Sequence, residues 1–199
     1  MEISAAQVRE LRALTGAGMM DCKQALSEAG GDIVEATEIL RRKGLAALKK
    51  KAGRIAKEGV IDAYIHGAGR IGVMVEVNCE TDFVARSDDF RTFAHDIALQ
   101  VAAGNPNYIS REDVPDNVIE KELEIYRAAA AEEGKPENVL DRIAQGRLEK
   151  FFEAVVLLEQ PFVKNPEMKI ADYLGEIAAK LGENIVIRRF ARFELGEEA

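Results

Sequence analysis

From Ile61 to Cys79 the side chains alternate with a period of two. Ile61, Ala63 and Ile65 alternate with Asp62, Tyr64 and His66, and after GAGR the series Ile71, Val73, Val75, Val77, Cys79 alternates again. Only an extended backbone sends successive side chains to opposite faces, so the stretch is expected to be a β-hairpin with one apolar face. By parity Cys79 falls on that face, as a buried thiol and not a nucleophile. The hairpin rules out an all-helical chain and predicts a fold of the α+β class, because the sequence on both sides keeps a helical period.

The first 44 residues read as three short helices. Ser4 with Gln7 forms a capping-box signature, and Val8, Leu11 and Leu14 then share a face until TGAG breaks the pattern. Cys22, Ala25, Leu26 and Ala29 follow helical spacing until Gly30 and Gly31. Asp32 with Glu35 repeats the cap, and Ile33, Ala36, Thr37 and Leu40 repeat the spacing up to Gly44. Three such helices can bury one small core. Beyond the hairpin, helices are expected from Phe90 to Val101 and over about 116–133, 136–158 and 169–181. NIVIRRFARFEL then alternates once more and predicts a third strand returning to the hairpin. The expected organisation is a three-helix domain over 1–44, a basic linker over 45–58 and an α+β core over 59–199.

The linker carries Lys49, Lys50, Lys51, Arg54 and Lys57. It reads as a solvated helical segment, with a basic contact surface for a partner as the alternative. Charge is unevenly spread: residues 1–58 hold 11 Lys/Arg against 8 Asp/Glu, while the whole chain has a net charge of -8. That overall sign argues against a nucleic-acid polyanion or an anionic membrane as the main partner. Two distant cysteines in a chain of 199 residues suggest reduced thiols. The charged amino terminus MEISAAQVRELR lacks the apolar stretch of a signal peptide, and the longest apolar runs fall short of a membrane span. A cytoplasmic location is therefore expected.

Catalytic and cofactor motifs fail one by one. GAGRIG matches G-x-G-x-x-G, but it lies between two strands, where a dinucleotide fold needs a helix N-terminus aimed at the pyrophosphate. A hairpin turn is the better reading. His66 and His95 lack metal-ligand spacing, and Glu80, Asp82, Asp88 and Asp89 do not form a calcium-loop pattern. Asp88 and Asp89, after Ser87, suit a helix amino end. No catalytic residue, cofactor or metal site is expected, and the chain does not read as an enzyme.

Two local features remain. Met19 and Met20 are adjacent at a helix start, about 100° apart around the axis, so both cannot face one small core. Ordinary packing and a soft docking surface both fit such a pair. In NCETDFVARSDDF, Phe83 lies beside Asp82 outside both flanking periods. A ring capping the sheet end and a ring projecting to a partner fit equally well.

Taken in order, LRALTGAGMMDCKQAL, AGGDIVEATEILRRKG, EGVIDAYIHGAGRIGVMVEVNCETDFVAR and QPFVKNP resemble the bacterial elongation factor Ts family over almost the whole chain. Members of that family are guanine-nucleotide exchange factors for elongation factor Tu, the GTPase that carries aminoacyl-tRNA to the ribosome. The resemblance implies an amino-terminal three-helix domain similar to ubiquitin-associated domains, a linker, and a core with a three-stranded antiparallel sheet packed by helices. It implies that Thr81, Asp82, Phe83 and Val84 form the loop that enters the GTPase near its magnesium and phosphate site, with Phe83 as wedge and Asp82 perturbing magnesium-positioning groups. Arg12, Met19 and Met20 become an amino-terminal contact surface, and His66 a hairpin-tip contact. Longer members carry a duplicated core, an inserted helical hairpin and a carboxy-terminal module. This chain shows one core copy, and self-association as a homodimer is expected to supply the second. A competing expectation is an adaptor whose ubiquitin-associated-like helices bind a peptide or protein without nucleotide exchange.

Overall fold

The computed structural model describes residues 3–51 and 53–197, without the side chains of residues 45 and 47–50. The Lys49 and Lys50 side chains, part of the expected basic surface, therefore lie outside the described residues.

Helices α1 (Ala5–Thr15), α2 (Met19–Glu28) and α3 (Ile33–Lys51) open the chain. Ser4 caps α1 in a complete capping box with Gln7, and the Asp32 carboxylate accepts from Glu35 N at 3.0 Å to cap α3. Val8, Leu11, Cys22, Ala25, Leu26, Ala29, Ala36 and Ile39 form their shared core. Leu14, expected on the buried face of α1, is instead exposed. Six residues after Val8, Leu14 lies about 120° around the helix axis from it and so leaves the buried face. Gly44 does not end α3 as its residue type suggests. The helix passes so close to a later helix here that a Cβ on Gly44 would lie 3.1 Å from the Gly175 carbonyl oxygen. This glycine serves close approach, not a C-cap.

Strands β1 (Glu58–His66) and β2 (Ile71–Cys79) form the hairpin, and β5 (Val186–Glu194) pairs with β2, giving an antiparallel order β1-β2-β5. The expectation of a single apolar face is corrected by the register. The four-residue connection pairs His66 with Ile71, so Ile61, Ala63 and Ile65 lie opposite Glu76, Met74 and Gly72, while Val60, Asp62 and Tyr64 lie opposite Val77, Val75 and Val73. Odd positions of β1 share a face with even positions of β2. The inner face buries Val73, Val75 and Val77, and the outer face leaves Ile61, Ala63, Ile65 and Met74 exposed.

A short helix α4 (Asp82–Ala85) and the long α5 (Asp88–Gly104) follow. On α5, Phe90, Phe93, Ala94 and Ile97 are buried, and the Phe93 ring meets that of Tyr173 edge-on at 5.1 Å between centroids. Tyr173 belongs to α8 (Ile170–Leu181), and its hydroxyl donates to Asp96 at 3.0 Å. Residues 1–99 with 171–199 make one compact unit, and residues 100–170 make a second.

The second unit contains α6 (Asp116–Glu132) and α7 (Glu137–Val155), joined by a short turn, and the small hairpin β3 (Pro161–Phe162) and β4 (Asn165–Lys169). Val114, Leu148, Phe152 and Val156 form its core, with Val118, Ile119 and Leu123 of α6 packed against it. Arg111 binds Glu149 and Glu159 together and lies 4.5 Å over the Phe152 ring. The QPFV block is structural. Gln160 is buried, donates to the Gly104 and Ala154 carbonyls, and accepts from Gln100, so each of its polar atoms is satisfied.

Candidate functional site

Cys79 ends β2, and the chain leaves the sheet through Glu80 and Thr81. The buried Cys79 thiol donates to the Thr81 carbonyl at 3.1 Å. Burial, and then the Glu183 carboxylate, push that thiol up to about 11. It is inert at neutral pH, as its parity suggests.

Thr81 is the N-cap of α4, and its hydroxyl accepts from Val84 N at 3.4 Å. The same hydroxyl donates to Glu183 Oε1 at 2.6 Å, while Glu183 Oε2 accepts from the backbone amides of Glu80 at 2.9 Å and Thr81 at 3.1 Å. Glu80 Oε1 accepts in turn from Asn184 N at 2.6 Å and from Arg54 at 3.4 Å. The Asn184 amide donates to the Arg54 carbonyl at 2.9 Å. Gly182, at φ +77, ends α8 in a conformation that suits glycine and turns the chain toward this loop.

On that base the α4 turn splits its side chains. Ala85 is buried, Asp82 and Val84 are half-buried, and Phe83 is 81% exposed. The Phe83 ring thus does not cap the sheet end but projects from the surface. The Asp82 carboxylate accepts from Arg86 at 2.7 Å, one turn later.

Arg12 lies exposed in the last turn of α1. Met19 and Met20 begin α2 at 45% and 75% exposure, so the helix turns both outward. Leu14, also exposed, sits at the same α1–α2 connection. Sequence reasoning missed it because its three-residue spacing from Leu11 suits a buried face, while its six-residue spacing from Val8 turns it off that face.

His66 ends β1 beside the turn, and its Nδ1 is 3.0 Å from the Tyr64 hydroxyl. Tyr64 packs edge-on against His95, whose Nδ1 is 2.9 Å from Asp62. The two histidines thus flank one tyrosine. Among the described residues no group of three or more His, Cys, Asp or Glu is placed to hold a metal, and no helix is long and apolar enough to cross a membrane.

Thr81 to Val84 and His66 lie at opposite ends of the sheet. The nine residues of β2 separate them by about 27 Å at about 3.4 Å per residue. Between the ends, the outer face aligns Ile65–Gly72–Phe193, Ala63–Met74–Ala191 and Ile61–Glu76–Arg189 across the three strands. Phe193 is 71% and Ile65 65% exposed. The basic linker is partly turned inward, since Lys51 donates to the Ala178 carbonyl and Arg54 reaches Glu80.

A three-helix unit ahead of a helix-packed antiparallel sheet, with exposed apolar groups on a loop, a helix end and a sheet face, defines an α+β protein with the surface chemistry of a contact partner. The elongation factor TS family model matches residues 1–197. Elongation factor Ts of Carboxydothermus hydrogenoformans is 66% identical over 98% of this chain and 90% of the relative. That of Caldanaerobacter subterraneus subsp. tengcongensis is 66% identical over 98% of each, and that of Moorella thermoacetica is 59% identical over 98% of this chain and 96% of the relative. The chain belongs to the elongation factor Ts family and is thereby a translation elongation factor.

Proposed function

We propose that this chain is the guanine-nucleotide exchange factor for elongation factor Tu, acting in the cytoplasm without a covalent step. The observation that carries the reading is Phe83, an aromatic ring 81% exposed on a helix turn hydrogen-bonded to the body of the protein. Burying such a ring in a cleft of the GTPase yields about 1.5–3 kcal/mol, comparable with the cost of parting packed side chains. Asp82 acts on the polar groups that position magnesium, with Thr81 and Val84 completing the loop.

Residues 1–44 dock the GTPase through Arg12, Met19 and Met20, residues 45–58 connect, and the core over 59–199 delivers the loop and His66. Binding of factor and of nucleotide are coupled reciprocally, so a factor that weakens GDP is itself weakened by GDP, and a transient ternary complex releases the nucleotide. A nucleotide held at nanomolar Kd has about 12 kcal/mol of binding free energy, and removing about 4 of it raises Kd roughly a thousandfold. The reading places that loss at the magnesium and phosphate contacts of the GTPase.

The working unit in this reading is a homodimer joined through the outer sheet face. Its middle row sets the exposed Met74 between Ala63 and Ala191, flanked by Ile61, Ile65 and Phe193, with the Glu76–Arg189 ion pair in the third row, a largely apolar surface that suits self-packing at about 10 Å between sheets. A twofold axis perpendicular to the strands then brings the His66 end of one copy over the Phe83 end of the other.

Release of labelled GDP from elongation factor Tu at substoichiometric factor tests the proposal. Acceleration supports it. Tight binding without acceleration favours the adaptor reading.

A further inference from the structure

We infer that Glu183, with no part in the contact surface, is the positioning residue that holds the exchange loop in its working conformation; this rests on the exchange reading above. The Glu183 carboxylate collects three donors from two consecutive residues 102 to 103 positions away: Glu80 N, Thr81 N and Thr81 Oγ1. A hydroxyl has one proton. Because Thr81 gives that proton to a carboxylate at 2.6 Å, its lone pairs are left to accept from Val84 N, and the polarised hydroxyl is a stronger acceptor.

A single relay therefore runs from Glu183 through Thr81 to the first turn of α4, where Phe83 is mounted. Four-residue helices do not persist alone in water. The neighbouring pair reinforces the same junction from the opposite direction, with Glu80 accepting from Asn184 N and Arg54. Glu183 fixes the loop without touching Phe83, whose ring stays exposed. Its effect belongs to the rate of nucleotide release rather than to affinity, which the amino-terminal helices and His66 supply in this reading.

Glu183→Ala removes all three acceptors. Charge-assisted hydrogen bonds are individually worth about tenfold or more, so the maximal rate of GDP release is expected to fall about tenfold while the half-saturating concentration of elongation factor Tu–GDP changes less than about twofold. Glu183→Gln retains an oxygen for the two backbone amides and recovers part of the rate. Thr81→Val interrupts the relay and exposes the Val84 amide to exchange. The Glu183→Ala/Thr81→Val double variant is expected to be no slower than the worse single variant, because both break one chain. Amide exchange at Glu80, Thr81 and Val84 rises in Glu183→Ala without loss of protection in β2.

Unchanged release together with unchanged protection at those amides overturns the assignment. So does an equal loss of affinity and rate accompanied by a lower Tm, which marks a merely structural residue. Should Glu183→Ala fail to fold, Glu183→Gln decides alone: parent-like release together with parent-like amide protection at Glu80, Thr81 and Val84 rejects the relay. If the parent chain does not accelerate GDP release while Glu183→Ala still deprotects the three amides, the exchange reading falls and the clamp stands.

Discussion

A ring that touches little of its own protein, as Phe83 does, contributes little to that protein's stability, and in the proposed reading its burial comes in the partner. Phe83→Ala is therefore expected to slow GDP release by about ten- to a hundredfold, the equivalent of about 1.5–3 kcal/mol of lost burial in the partner, with Tm essentially unmoved. A variant that folds and exchanges like the parent removes Phe83 from the mechanism. Glu176 shows the opposite economy. Burial, and then the charge of Asp172, hold its carboxyl above the ordinary range despite Arg41 nearby. The folded chain thus keeps a proton that the unfolded chain has released, and stability falls as pH rises from the ordinary carboxylate pKa of about 4.3 through the raised one. Glu176→Gln should raise Tm at pH 7 and leave it unchanged below about pH 4. An identical Tm difference at both pH values would contradict the sign.

Among the elements, the α6–α7 pair has its own core and a brace at its foot. Arg111 engages Glu149 and Glu159 bidentately over the Phe152 ring, and the guanidinium holds Glu149 below the usual carboxylate range. Removing it leaves the Glu159 carboxylate, whose side chain is 18% exposed, without this partner. Arg111→Ala should cost about 1–3 kcal/mol, seen as faster amide exchange in α7. Arg111→Lys should recover only part, because an ammonium cannot serve two carboxylates in a planar fork. Neither change should alter the amide protection of β1 and β2; equal loss of protection there would mean that the brace supports the sheet as well.

For the whole molecule, the exposed outer face and the distance between His66 and Phe83 lead to a complementation experiment. A dimer built through that face gives each GTPase the loop of one subunit and the hairpin tip of the other. Mixing Phe83→Ala with His66→Ala subunits in equal amounts should then restore one intact site in each mixed dimer and, with about half of the dimers mixed at random exchange, bring exchange to about a quarter of the parent, by simple counting within the twofold symmetry. A monomer by light scattering at working concentration, or mixed variants no more active than either alone, would rule out the shared site.

The hairpin, the three amino-terminal helices, the two long helices of the second unit and the returning strand were legible in the sequence, because periodicity and caps act between residues a few positions apart. The projecting position of Phe83 was half legible: the sequence placed it outside both periods but left its direction open. What only the tertiary structure decided was set by partners distant in the chain. The four-residue turn chose a register that sends Ile61, Ala63 and Ile65 away from Val73, Val75 and Val77. Gly44 became a packing glycine through Gly175. Glu183 carries no local pattern at all. Its role exists because the end of α8 and the end of β2 meet in space, and a carboxylate acquires direction only from the donors that folding brings to it.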